Sequence, residues 1–462
     1  MHIKKYLCFL SLLTFLPMAA FSQAQTVTLQ GAIDTALKNN FQLQQADNNL
    51  KLADVSIWSA RADFLPSING GLNYNRTTGQ QFDQTTVRFE DVTTNRIGGN
   101  INLNLTVFDG FRNILNLRSA NASQKSQEES RERLRETIIF DTASRFLQVA
   151  LDEELLRIAR QTLEASESLL EQIEAQVEVG ARPTVDFFNQ ESEVASDELA
   201  VIQAENALEL SKTRLLRIMQ VEQDAEYQYE IPSSEDLALM PVELDLQQMI
   251  DAALNNRSDL QAQEHTITQN ENEIGITRAN LFPTLSASYG INTSYNDNFR
   301  GINPDPDNPG QFLRSPVSFV DQFFDQLVTK SVGANLSVPL FTNWNNRTQL
   351  QSSKIALKNS KLELENIRFQ IFEEVRQAYN DYVSFSKELE SSEKSLIAAE
   401  RAFETEQQRY NVGASTLIEL NQSQSNFVQA QSNRVQAIYN FVFQEKLLDY
   451  FLGRLDARIT FN

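Results

Sequence analysis

Residues 29–66 align without a gap on residues 246–283, and no other feature constrains the fold of this chain as strongly. Gln30 matches Gln247, Ile33 matches Ile250, Leu37 matches Leu254, Asn39 matches Asn256, Leu43 matches Leu260 and Arg61 matches Arg278. The offset of 217 becomes 233 further along, where Val179-Gly180-Ala181 matches Val412-Gly413-Ala414. The chain is a tandem repeat whose second copy carries 16 extra residues after Pro283.

Each copy runs through the same pattern. The leading segments, 29–64 and 246–282, are predicted to be single helices, stopped by Pro66 and Pro283. Period-two segments follow. In the first copy Ile97, Ile101, Leu103, Leu105 and Val107 alternate with small or polar residues, predicting a β-hairpin over 67–107. In the second, Leu285, Ala287, Tyr289 and Ile291, then Val332, Ala334, Leu336 and Val338, predict a hairpin over 284–341. Residues near 78–96 and 293–330 read as polar loops between the strands, and Pro and Gly over 303–310 argue against regular structure there.

A long helix comes next, predicted over 110–179 and 343–412. An apolar seam recurs every seventh position at Val149, Leu156, Leu163, Leu170 and Val177, and again at Tyr382, Leu389, Leu396, Phe403 and Tyr410. A heptad sustained this long means helices packed side by side in a coiled coil. Gly180 and Gly413 then end the helix, and tips at 180–184 and 413–416 lead into return helices, so each copy folds as an antiparallel α-hairpin. Residues 221–243 link the copies, which span 25–220 and 244–453, and 454–462 form a tail.

Lengths suggest the assembly. A 70-residue helix is about 105 Å long, and leading plus return helices stacked end to end match it. Each copy thus supplies two helical lanes and two strands. Four strands are too few to close a membrane barrel, which takes about eight or more, so chains must share one. Three chains give a 12-strand β-barrel continued by a helical barrel of 12 lanes.

The first residues read as a secretory signal over 1–24. Lys4 and Lys5 precede a short apolar stretch, with small residues near Ala24. That stretch is too short to span a bilayer as a helix, which takes about 20 residues. Cys8 lies inside it, leaving no cysteine in the remainder. The net charge of −21 argues against nucleic acid as a partner. Only His2 and His265 are present, so no Cys/His metal site can be assembled. Neither an enzyme, a cofactor nor a metal site is implied. A periplasmic coiled-coil adaptor or structural stalk would share the α-hairpins but leaves the alternating strands unexplained.

The ordered, duplicated set resembles the TolC-type outer-membrane efflux proteins. It includes Phe64-Leu65-Pro66-Ser67 and Leu281-Phe282-Pro283-Thr284 before the strands. Val107-Phe108-Asp109-Gly110 follows the first hairpin, and Gln408-Arg409-Tyr410-Asn411-Val412-Gly413 precedes the second tip. The resemblance covers nearly all the chain beyond the signal. It implies a homotrimer in outer-membrane lipid, a tunnel through the periplasm, and coupling to an inner-membrane transporter through a periplasmic adaptor. It implies that Val179, Gly180, Ala181, Val412, Gly413 and Ala414 form adaptor-docking tips. It also implies an entrance gate in which Asp186 matches a gating Asp, Tyr410 a gating Tyr, and Glu419 a cation-attracting carboxylate. Ser415 stands where the family has a gating Arg, and Gln422 where it has a further carboxylate. Arg182 holds the corresponding place in the first copy and is expected to compensate. Thr416-x-x-Glu419 is also a capping-box pattern, and Asp186 lies in a first helical turn, so both carboxylates have a capping reading beside the functional one.

Overall fold

A computed structural model describes residues 25–83, 87–222, 227–231, 242–304, 309–310 and 312–455. The signal segment lies outside the described residues, as do most of the linker and of the tail. The chain begins with β1 (Gln25–Val27), α1 (Leu29–Asn39) and α2 (Phe41–Ala62). Two long strands follow, β2 (Ser67–Asp83) and β3 (Arg88–Phe108), then α3 (Arg112–Glu178) and α4 (Thr184–Met219). After β4 (Tyr227–Tyr229) the second copy runs α5 (Leu246–Asn256), α6 (Ser258–Ala279), β5 (Thr284–Asn296), β6 (Arg300–Pro304) and β7 (Phe312–Pro316). It continues with α7 (Phe319–Asp321), a π turn (Gln322–Gln326), β8 (Thr329–Ser337), α8 (Asn345–Asn411) and α9 (Leu417–Phe451).

The leading helices are not single, as the sequence suggested. Asn40 breaks the first at φ −58° and ψ 119°, and its side chain accepts from the Leu43 N–H (3.0 Å), capping α2. Arg257 breaks the second at the matching place. The break seats the return helix. Asn39 Nδ2 donates to the Met219 carbonyl (3.2 Å), and Asn256 Nδ2 donates to that of Leu452 (3.4 Å). The end of α4 thus meets the α1–α2 junction, and the end of α9 meets the α5–α6 junction.

Both long helices are 67 residues, about 100 Å. They start later than predicted, because each is entered through left-handed residues, Phe111 (φ 70°) and Trp344 (φ 62°). Their seam faces the neighbouring helices: Val149, Leu156, Tyr382 and Tyr410 are buried. One core gathers Ile33, Ile139, Phe146, Val149 and Leu215 where α1, α3 and α4 meet. Its counterpart gathers Ile250, Ile371, Val375 and Phe441. Leu147, Ile158, Val435 and Ile438 join the copies through α3 and α9. The linker is not wholly irregular, since β4 pairs in parallel with β1.

The strands form one antiparallel sheet in the order β2-β3-β5-β8. The first polar loop is shorter than expected. Residues 78–83 and 88–96 belong to the strands, held by polar pairs such as Thr78 with Thr93 (3.1 Å) and Tyr74 with Asn95 (2.8 Å). In the second hairpin β5 runs to Asn296, and β6 pairs with β7 inside the expected loop, so Asn303 and Pro304 are strand residues after all. Residues 338–341 are not strand. One face of the sheet carries Leu72, Ile101, Ile291, Val332 and Leu336, and the register brings Asn73, Asn100, Asn102, Asn292 and Asn335 to the other. Leu72, Val332 and Leu336 are 79%, 84% and 63% exposed.

Candidate entrance at the helical tips

Both tips close by the same backbone device. Gly180 N–H donates to the Val177 carbonyl (3.0 Å) and Ala181 N–H to that of Gln176 (2.8 Å). Gly413 and Ala414 repeat this with Tyr410 (3.0 Å) and Arg409 (2.8 Å). This is the Schellman arrangement, which needs a left-handed residue, and the glycines have φ +75° and +74°. Nothing lies within 4 Å of a Cβ built at either. Val179 and Val412, both 79% exposed, crown the tips, with Val185 and Ile418 exposed beside them.

The two copies then diverge, for one chemical reason. In the second, Thr416 caps α9. The Glu419 N–H donates to the Thr416 hydroxyl (3.2 Å), and Glu419 Oε2 accepts from the Thr416 N–H (3.0 Å). This is a complete capping box. Pro183 occupies the N-cap position of α4 and has no N–H to offer. Asp186, the residue matching Glu419, instead pairs with Arg182 at 3.5 Å.

Arg182 connects the copies. Its Nε donates to Gln176 Oε1 (2.6 Å), and its guanidinium carbon lies 4.2 Å from the Tyr410 ring centroid. Tyr410 is 6% exposed, packed with Ile173, Leu417 and Leu420. Burial pushes its phenol up, the Arg182 charge opposes this and the Asp186 charge adds to it. Its hydroxyl has no partner among the described residues, so the structure brings Asp186, Arg182 and Tyr410 together without a direct Tyr–Asp hydrogen bond. Glu419 belongs to a different cluster, and its carboxyl is held low by the Thr416 N–H and by the Ser415 and Thr416 hydroxyls.

Ser415 lies between two carboxylates, in contact with Glu406 and 2.9 Å from Glu419. Arg409 binds Glu406 at 2.8 Å. Sequence reasoning missed Glu406, Gln176 and a polar bridge linking α9, α4 and α3. There Asn421 donates to Gln190 Oε1 (3.2 Å), and Gln190 donates to the Ser166 carbonyl (3.1 Å). The available signal was polar residues breaking an otherwise small or apolar packing face. Among the described residues no group of His, Cys, Asp and Glu could hold a metal ion, and no helix is long and apolar enough to cross a membrane.

The chain is similar to known proteins over most of its length. The chain is 26% identical over 417 residues to the pyoverdine export outer membrane protein OpmQ of Pseudomonas aeruginosa, covering 88% of this chain and 81% of that one. It is 22% identical over 429 residues to the outer membrane protein TolC of Vibrio cholerae, covering 92% and 90%. The crystal structure of the CmeC outer membrane channel of Campylobacter jejuni superposes with a TM-score of 0.78 at 16% identity, over 94% of this chain and 87% of that one. The sequence profile of the outer membrane efflux protein family matches residues 32–219 and 249–454, one match to each copy. The chain belongs to the outer membrane efflux protein family.

Proposed function

We propose that three copies assemble into a passive exit duct. The observation that carries this is the four-stranded sheet itself: β2 and β8 are edges without partners among the described residues, and one broad face is exposed and apolar. Unpaired edges and bare apolar surface are costly in water. Pairing β2 of one chain with β8 of the next closes a 12-strand barrel, with the apolar face in outer-membrane lipid and the Asn face lining the lumen. The helical lanes continue the duct into the periplasm. Val179-Gly180-Ala181 and Val412-Gly413-Ala414, exposed at the far end, dock a periplasmic adaptor that couples the duct to an inner-membrane transporter.

The tips form the entrance. Arg182 clamps Tyr410 and Asp186 and holds the two α-hairpins of a chain together. Glu419 caps its helix and also adds a carboxylate to the mouth, where like charges concentrate cations. No residue is assigned a catalytic role, and the duct needs no cofactor. Planar-bilayer recording tests this reading. The trimer should conduct with cation selectivity, and multivalent cations should block it from the helical side only. An anion-selective pore, or equal block from both sides, would contradict it.

A further inference from the structure

The residues inserted in the second hairpin lie outside the four-stranded sheet and the long helices. Between β7 and β8 they form α7 and the π turn, which lie on the apolar face of the sheet. Leu72, Gly99 and Thr293 share one register row. A Cβ built on Gly99 would come within 2.8 Å of Phe323 Cζ, 3.1 Å of Thr293 Cγ2 and 3.3 Å of Leu72 Cδ2. Phe323 therefore sits directly over Gly99, in space that only a glycine leaves open. The turn is tied to β5 at the adjacent residues Gln322 and Phe323. The Thr293 hydroxyl donates to the Phe323 carbonyl, and the Asn296 N–H donates to Gln322 Oε1 (3.0 Å). Gln322, 1% exposed, donates to the Val317 carbonyl (2.9 Å). Phe319 stacks on Phe323 and meets Tyr295 edge-on, each at 5.1 Å between centroids.

The fixed turn leaves Phe324 and Val320 bare, at 68% and 62% exposure. Beside Phe324 runs a groove of about 610 Å³ lined by Leu72, Ile101, Ile291, Phe323 and Val328. Its height matters. Gly99 stands nine residues up β3 from Phe108, about 30 Å along the strand at about 3.4 Å per residue. A strand tilt of about 40° lowers that to roughly 23 Å, near the upper edge of an apolar band about 25 Å tall. The lower edge carries its own exposed aromatics, Phe64, Phe282, Phe341 and Trp344.

We propose that the turn over 319–328 is a membrane-interface element, and that its groove seats an acyl chain of an outer-leaflet lipid. The groove is continuous with the apolar band of the sheet, so a chain entering from the bilayer crosses no polar boundary. Lys330 is the register partner of groove-lining Ile291 on this same face and is exposed, which puts one ammonium where it can snorkel to a lipid phosphate. Asp321 and Asp325 on the turn are exposed as well.

The proposal rests on the reading that this face meets lipid, and the test separates the two. Trp58→Phe and Trp344→Phe remove the native tryptophans, Phe being native at the position matching Trp344. On that background Phe324→Trp probes the turn and Val332→Trp probes the mid-band of the sheet. The full-length trimer is reconstituted in phosphatidylcholine brominated near the headgroup or deep in the chain. Headgroup-proximal bromines should quench Phe324→Trp at least twofold, with acrylamide quenching it much less. Deep bromines should quench Val332→Trp. If Val332→Trp is quenched by lipid and Phe324→Trp by acrylamide alone, or by neither, the proposal is overturned and the barrel reading stands. If lipid quenches neither probe, the barrel reading fails and the proposal fails with it. Should Phe324→Trp not assemble, Val320→Trp on the same turn replaces it.

Discussion

The guanidinium carbon of Arg182, in the first tip, lies 4.2 Å from the centre of the Tyr410 ring in the second. With Arg182 21% exposed on its side chain, a cation–π contact of this kind contributes about 1–2 kcal/mol. A gate held by it should loosen on Arg182→Ala by roughly 5- to 30-fold in its closed-to-open ratio. Single-channel recording should show raised resting conductance. Arg182→Lys should recover part of the closure, since the charge remains but the planar fork is lost. Wild-type conductance in Arg182→Ala would remove Arg182 from the gate.

Glu419 separates capping from charge. Glu419→Gln keeps a side chain able to accept from the Thr416 N–H, so assembly should be unchanged while cation selectivity and multivalent block weaken. Because the folded carboxyl is held below its ordinary value, block should persist at a pH where ordinary glutamates are half protonated. It should fade only as pH falls further. Asp186→Asn should relieve block less and raise resting conductance more, because Asp186 is engaged by Arg182.

The tip glycines separate strain from contact. A Cβ at Gly180 or Gly413 has open space, so the cost of Gly→Ala is conformational, about 1–2 kcal/mol at positive φ. Gly→Val is worse, because a β-branched residue avoids this region. We expect Gly180→Val and Gly413→Val to assemble as trimers yet lose export, measured as cargo efflux from whole cells. Wild-type efflux in both would contradict docking at the tips.

Arg257 anchors the break between α5 and α6. It is buried, donates to Asp259 (2.5 Å) and reaches Glu374. Removing one partner of a buried ion pair costs about 3–5 kcal/mol. The Asp259 and Glu374 side chains are 30% and 38% exposed, so about 2 kcal/mol is a fairer figure for Arg257→Ala after screening. Burial raises the Asp259 carboxyl, but hydrogen bonds and charge from Arg257 outweigh it, and the group ends below its ordinary value. Its stabilisation is therefore present above the unfolded carboxylate range and lost as pH falls through the lowered folded value. Arg257→Ala should lower the melting temperature at neutral pH and flatten the acid-side loss of stability, both read by thermal unfolding.

The repeat, the heptad seam and the Gly-ended tips were legible because each rests on local periodicity or backbone chemistry. The break at Asn40 was not, because its reason is long-range: Asn39 must reach Met219, 180 residues away. The reach of β2 and β3 beyond the apolar band was hidden because strands with two polar faces lose the alternation that marks a strand. At the entrance, the capping box was readable from Thr416 and Glu419. The Arg182–Tyr410 contact was not, since it depends on how the two α-hairpins lie against each other.

The central claim is that a sheet whose two edges have no partner among the described residues closes only with two further copies of the chain. Native mass spectrometry of the protein extracted from outer membranes in mild detergent tests it most directly. A single species of three processed chains, dissociating only on denaturation, is the predicted result. A folded, stable monomer with the same sheet would contradict the shared barrel and the duct built upon it.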